Sequence, residues 1–322
     1  MANILVIFLC LTLGVLLRYL KKMPDQAHIT LNGFVINVAI PALALYYIPQ
    51  IKISRDLIFP IATAWIIFAA SWIFFGLLGH FKGWSRKLTG CLILTAGLGN
   101  TAFVGFPMVK ALYGTEGLKT AIILDQPGTF LIVSTLGLVV AALYSGAVTN
   151  TSMLLKKVLY FPPFLGFLAG ILLNAFSIAI HETGREVLLM LSGTITPLAM
   201  VSVGLQLRIQ RRSSHWGFLA LGLAFKLIIS PLLIFVLYGL IFNLKGDLLN
   251  VCVVEAGMAP MVTAAIVASA YGLKPKFSTL MLSVGIPVSL ATVLLWSLLL
   301  KLPTKAIASP AKNELNIPFK EP

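Results

Sequence analysis

Long apolar runs, separated by short polar and basic stretches, set the organisation of this chain. Judged by the length needed to cross a hydrocarbon core about 30 Å thick, roughly 20 residues as helix, ten spans are predicted. They lie at approximately 3–20, 29–49, 57–79, 88–112, 117–144, 158–180, 186–207, 216–242, 247–271 and 277–301. The pattern predicts an all-α membrane protein of ten transmembrane helices. Its longest internal connection, 145–157, divides the spans five and five: a first unit at 1–144, the linker at 145–157, a second unit at 158–302 and a tail at 303–322 that is read as disordered.

Two spans break their own pattern near the middle. In the fourth, Gly97, Gly99, Gly105 and Pro107 surround Asn100 and Thr101. In the ninth, Glu255, Gly257, Met258, Pro260 and Thr263 fall within a few residues of one another. Glycine weakens a helix interior, and proline removes a backbone donor and clashes with the preceding turn. Unwound backbone at membrane depth is tolerated only when buried in protein or lining a wet cavity, and interrupted helices of this kind point to a transporter binding site. The halves echo each other further. Ile40-Pro-Ala-Leu-Ala44 answers Thr196-Pro-Leu-Ala-Met200, Tyr113-Gly114 answers Tyr271-Gly272, and Pro127 answers Pro287. An odd number of spans per half makes such repeats inverted, with the fourth and ninth helices broken and a substrate site expected at the repeat interface near the midplane.

Composition agrees with this class. Of 322 residues, 59% are hydrophobic and 11% charged, too apolar for a soluble domain. The net charge of +14 is scattered in loop clusters rather than gathered in one patch, so nucleic acid is not an expected partner. Basic residues favour one set of loops: Arg18, Lys21 and Lys22; Lys82, Arg86 and Lys87; Lys156 and Lys157; Arg208, Arg211 and Arg212; Lys274 and Lys276. The positive-inside rule places these loops in the cytoplasm and both termini outside, in a multi-pass protein of the plasma (inner) membrane. The first span reads as a membrane helix rather than a cleavable signal, because its basic residues follow the apolar run. Cys10, Cys91 and Cys252 lie inside apolar segments, and His28, His80, His181 and His215 lie at span ends without ligand spacing. No disulfide, metal or cofactor is therefore expected. HExxH, GxSxG and Walker patterns do not occur, so neither an enzyme nor an ATP-driven pump is expected.

At a broken helix, the start of the second half offers unpaired N–H groups and a partial positive charge. Those starts, expected near Gly105–Pro107 and Pro260–Thr263, can hold a carboxylate, with Asn100, Thr101 and Met258 beside it. The alternative role for Asn100 is to hydrogen-bond the freed backbone, which is compatible with the first. Three charges are predicted at one depth, about 12–15 Å into their spans: Asp125, Glu255 and Lys226. Intramembrane charges cost several kcal/mol and mark function. The two carboxylates are candidate proton carriers, with sodium as the other candidate ion. The competing account is a structural salt bridge from Lys226 to Glu255 or Asp125. Gly166-Phe-Leu-Ala-Gly170 is read as helix packing rather than a dimer seam.

These segments carry a family resemblance. Gly99-Asn-Thr-Ala-Phe-Val-Gly-Phe-Pro-Met-Val-Lys-Ala-Leu-Tyr-Gly114 is its most specific part, supported by Pro24-Asp-Gln26, Val38-Ala-Ile-Pro-Ala-Leu43, Ser202-Val-Gly-Leu-Gln-Leu-Arg208 and Ala259-Pro-Met-Val-Thr263. Through them the chain resembles the auxin efflux carrier family, which holds plant PIN-type carriers and bacterial relatives within the bile acid/auxin carrier-like superfamily. The resemblance implies two inverted five-helix repeats, a scaffold of helices 1, 2, 6 and 7, a moving part from the rest, an organic-anion substrate and a homodimer. It also implies that helices 4 and 9 cross at their breaks, with Asn100 and Pro260 as the crossover residues. The chain departs from long plant carriers in its short central loop and in having Asp125 and Glu255. The expected function is secondary active transport of a small organic anion by alternating access, coupled to protons. The alternatives are a sodium-coupled or uncoupled anion carrier, and a membrane sensor that binds its ligand without moving it.

Overall fold

A computed structural model describes residues 2–146, 160–207 and 215–301. The predicted tail at 303–322, most of the linker at 145–157, and the basic residues Lys156, Lys157, Arg208, Arg211 and Arg212 lie outside the described residues. The chain is helical and has no strand among the described residues. We label the helices α1 (Ala2–Tyr19), α2 (Ala27–Gln50), α3 (Arg55–Phe81), α4 (Arg86–Gly97), α5 (Thr101–Ser145), α6 (Pro162–Ala175), α7 (Glu182–Gln206), α8 (Trp216–Ile241), α9 (Asp247–Ala256), α10 (Val262–Ala270) and α11 (Pro275–Lys301). Six of these, α2, α3, α5, α7, α8 and α11, are long and apolar enough to cross a membrane; Ile4–Tyr19 and Pro162–Ala175 are shorter apolar helices.

The predicted spans 88–112 and 117–144 divide at a corner: the helical run from Thr101 to Ser145 turns sharply at Gly114 (φ 67°, ψ −156°). Only glycine adopts that backbone without strain, which is why Tyr113-Gly114 marks the corner. One expectation needs correction. The second half of the fourth span begins earlier than expected, at Thr101 rather than at Gly105–Pro107.

Three prolines inside these helices are accommodated by a widened turn ahead of them. Pro41, Pro107 and Pro231 each follow a five-residue π-turn by one residue: Val35–Ala39, Thr101–Gly105 and Phe225–Ile229. A proline ring clashes with the carbonyl four residues back and donates nothing to it. A π-turn moves that carbonyl aside. The orphaned carbonyl ahead of Pro231, on Leu227, is taken up by the indole N–H of Trp296, which donates at 3.0 Å.

Two buried clusters meet at the centre. One gathers Phe68, Phe75, Leu92, Leu94, Phe225 and Met281, the other Val35, Leu43, Phe103, Val203, Met258 and Ile286. Close approaches between helices are made by glycine. On α1 a Cβ at Gly14 would meet the Gly204 Cα at 2.9 Å and collide with the Val201 carbonyl of α7. Gly166 and Gly170 of α6 sit against Pro41 and Ile48 of α2, so this small-residue pair packs within the chain as expected. Beside them Asn174 Nδ2 donates to the carbonyls of Ile48 and Ile51, each at 2.8 Å, tying down the end of α2.

Gly14→Val is expected to destabilise the protein by about 1–3 kcal/mol, the usual cost of forcing volume into a filled contact. Gly33→Ala, whose new methyl would meet open space, is expected to leave stability unchanged or slightly raised. Thermal unfolding in detergent compares the two; equal midpoints would refute the α1–α7 backbone contact.

Candidate functional site

Both broken helices stop at the same place. Helix α4 ends at Gly97 and α5 begins at Thr101; α9 ends at Ala256 and α10 begins at Val262. The two linkers run antiparallel and pair, with Gly99 bridged to Pro260. Asn100 N donates to the Ala259 carbonyl at 2.7 Å, and Met261 N donates to the Leu98 carbonyl at 3.0 Å. Pro260 has no N–H, so its neighbours carry the ladder. In this way four backbone groups that unwinding would strand in an apolar interior are satisfied.

Asn100 opens the second half of the break. Its side-chain Oδ1 accepts from Phe103 N at 3.2 Å and its carbonyl accepts from Gly105 N at 3.0 Å, an N-cap at the start of a π-turn. Its Nδ2 is buried and has no hydrogen-bond partner.

The three predicted charges gather beside this crossing, each buried. Asp125 accepts from Thr101 Oγ1 at 2.5 Å and from Gln126 Nε2 at 2.8 Å. Glu255 accepts nothing: both carboxylate oxygens are buried without a donor. Its head lies against Gly105, where a Cβ would come within 2.6 Å of both oxygens. Lys226 reaches across to Gly99, where a Cβ would meet Nζ at 3.0 Å. These two glycines are thus small to admit charged heads. No ion pair within 4.0 Å joins Lys226 to either carboxylate; the one ion pair among the described residues is Lys119 with Glu116, at 2.8 Å. The salt bridge of the competing account is therefore not closed here. Thr63, Gly99, Thr101, Lys226 and Glu255 instead surround an enclosed cavity of about 10 Å³, near the size that admits one water.

A larger cavity of about 320 Å³ lies on the other side of the break. Asn100, Asp125, Gln126 and Thr263 supply its polar edge, and Phe103, Phe130 and Ile40 are among its apolar walls. Ile36, Phe103, Val262 and Thr263 also border a cavity of about 1070 Å³ that extends to Arg18, Lys21 and Lys276 at one end of the helices. A fourth cavity of about 480 Å³, at Lys52, Glu116 and Lys119, shares no lining residue with these.

Of the residues expected at the site, Asn100, Asp125 and Thr263 border the 320 Å³ cavity, and Thr101, Glu255 and Lys226 border the small one. Gly105 backs Glu255, and Pro260 completes the crossing. Met258 and Pro107 do not line either cavity; both are buried, Met258 in the second apolar cluster. Gln126 was not singled out by the sequence reading. Its signal was available: a polar residue between Asp125 and Pro127 inside an apolar run.

Four similarities accompany this geometry. A family model described as Membrane transport protein matches residues 1–297. The chain is 32% identical over 303 residues to an uncharacterized transporter of Methanothermobacter thermautotrophicus, covering 92% of this chain and 97% of that one. It is 28% identical over 308 residues to an uncharacterized transporter of Methanocaldococcus jannaschii, with the same coverage. Over 141 residues it is 29% identical to a probable auxin efflux carrier component 5a of Oryza sativa subsp. japonica, covering 43% of this chain and 39% of that one.

Gly105→Ala is expected to destabilise the protein by about 1–3 kcal/mol by driving a methyl into the Glu255 carboxylate. Combined with Glu255→Ala, the same substitution should cost less, because the obstructing head is gone. A double-mutant cycle on thermal unfolding measures the coupling; strict additivity would mean that the two side chains do not touch.

Proposed function

The chain belongs to the Membrane transport protein family, and on that premise we propose that it is a secondary active carrier of a small organic anion, working by alternating access. The reading takes the helices as ten spans in two inverted sets of five. Residues 86–113 and 247–270 are the two broken spans, and α5 supplies a further span beyond Gly114. The echoes between the halves support that arrangement, as does the pairing of the two linkers at Gly99 and Pro260.

One observation carries the proposal. Asn100, whose side-chain amide is a buried donor without a partner, lines a cavity of about 320 Å³ that borders a wide cavity on one side of the crossing, while the cavity at the opposite end is separate. A carboxylate seated there would meet the Asn100 amide and the N-terminal end of α5, whose partial positive charge favours an anion. The wide cavity ends among Arg18, Lys21 and Lys276, loops the positive-inside rule assigns to the cytoplasm. The conformation is then open to the inside.

For coupling, Glu255 is the proposed proton carrier, and Asp125 the second candidate. Asp125 already has two donors holding its oxygens, whereas Glu255 has none. A group that must load and release a proton needs that freedom. Sodium remains the alternative ion, since carboxylates and unwound carbonyls also coordinate it.

Carrier and sensor are separated by substrate-dependent counterflow in proteoliposomes: a carrier exchanges labelled for unlabelled carboxylate, and a sensor does not. Asn100→Ser keeps the helix cap, since serine also caps well, but removes the amide donor. It is expected to weaken carboxylate binding by about 1–2 kcal/mol, the scale of one lost polar contact, with the fold retained; unchanged affinity would leave Asn100 a cap alone. Glu255→Gln is expected to bind substrate yet lose the response of uptake to an imposed pH gradient, with sodium absent throughout. If Glu255→Gln and Asp125→Asn both respond as the parent does, neither carboxylate couples protons.

A further inference from the structure

Glu255 is sealed off from the larger spaces around the crossing. It lines none of the three larger cavities, and both its carboxylate oxygens are buried without a donor. Asp125 differs. It lines the 320 Å³ cavity, which borders the wide one. A proton on its way to Glu255 must cross the wall between the two carboxylates.

Thr101 stands in that wall. It lines the 10 Å³ cavity together with Lys226 and Glu255, and its hydroxyl donates to Asp125 Oδ1 at 2.5 Å. The small cavity shares no lining residue with the 320 Å³ cavity, so this hydrogen bond joins one wall to the other. Thr63, also on the small cavity, gives its hydroxyl to the Phe59 carbonyl of its own helix at 2.8 Å instead. One turn on from Thr101 comes Gly105, against which the Glu255 carboxylate rests. The first turn of α5 therefore meets one carboxylate through a hydroxyl and the other through a bare glycine.

Charge favours one proton shared between the two. The ionisable groups at this point are Asp125 on α5, Lys226 on α8 and Glu255 on α9; the lining residues from α3 and α4 carry none. Beyond them, Tyr238 of α8 meets the Thr63 hydroxyl at 3.4 Å, and Cys252 is buried a turn before Glu255. With Lys226 as an ammonium, the three groups sum to zero when one carboxylate is ionised and the other holds a proton. A second ionised carboxylate would leave a net buried charge, which an apolar interior resists.

We propose that Thr101 relays protons between Asp125 and Glu255, with Asp125 the port of the path and Glu255 its store. This rests on the proton-coupled reading above and gives it a route. To load, Asp125 takes a proton from the cavity it lines and passes one to Thr101 Oγ1. The Thr101 hydroxyl gives its own proton to a water in the small cavity, whose volume of about 10 Å³ suits one. That water gives a proton to a Glu255 oxygen turned toward it. Each O–H bond broken is matched by one formed, and the net change is one proton moved from Asp125 to Glu255. Thr101 is left donating to an ionised Asp125, the hydrogen bond found here. Glu255 is left neutral, the form in which a carboxyl group without a donor is least costly to bury. Unloading runs the same steps in reverse.

Infrared spectroscopy on the purified full-length protein tests the relay without a substrate. Glu255 is expected to give a protonated-carboxyl band that disappears in Glu255→Gln. On transfer to D₂O this band shifts as the proton exchanges, and the rate of that shift is the readout. Thr101→Val, close to threonine in shape but without a hydroxyl, is expected to slow the shift by about tenfold or more, since a positioned group speeds proton transfer by about 10²–10⁴. Asp125→Asn, which has no acidic proton to pass, should slow it likewise, and Thr101→Ser should keep the parent rate. An unchanged rate in Thr101→Val or Asp125→Asn would overturn the relay. So would a slowed Thr101→Ser, or loss of the band in Thr101→Val. Absence of any Glu255 band from the unaltered protein would instead overturn the proton-carrier reading, and the relay with it.

Discussion

A backbone group in an apolar interior must find a partner, and two helices here are interrupted where water is scarce. Each interruption alone would strand N–H and C=O groups at a cost that few proteins bear. The chain solves both at once by laying the two linkers side by side, so that Asn100 N and Met261 N donate across the crossing. Everything else at the centre depends on that pairing. It brings the start of α5 to the cavity wall, sets Asn100 as its cap, and places α4, α5, α9 and α10 around one point.

The charges follow from the same geometry. Glycines at 99 and 105 leave open the space beside the crossing, and that space receives the Lys226 ammonium and the Glu255 carboxylate. The three ionisable groups are not resolved into a salt bridge. Asp125 is held by a hydroxyl and an amide, Lys226 and Glu255 stand near each other without bonding, and a cavity of about 10 Å³ lies between them. Such an arrangement is a poor stabiliser, since a buried charge repays its desolvation only with close partners. It is the kind of cluster that a binding or coupling role would retain.

Much of this was legible in the sequence because membrane insertion imposes so few patterns. Long apolar runs announced the helices, and Gly99, Asn100, Gly257 and Pro260 announced the breaks. Boundaries within a break were less legible. Pro107 looked like the start of a new helix, yet a π-turn absorbs it six residues in, and no linear pattern distinguishes a proline that ends a helix from one that a widened turn accommodates. Gln126 was overlooked for a different reason. Its place at the cavity edge, donating to Asp125, is decided by the fold around it rather than by spacing.

The linker pairing has a mechanical consequence. Two hydrogen bonds running in opposite senses, one on each side of the Gly99–Pro260 bridge, act as a cross-tie between strands of chain that are more than 150 positions apart. Pulling on Asn100 pulls on Ala259, and pulling on Met261 pulls on Leu98. The crossing thus couples its four helix ends, which cannot separate without breaking these bonds. Any motion between that piece and the rest of the chain would have to fall at its boundary, and Ile36 on α2 with Phe103, Val262 and Thr263 marks part of that boundary as the rim shared by the two cavities.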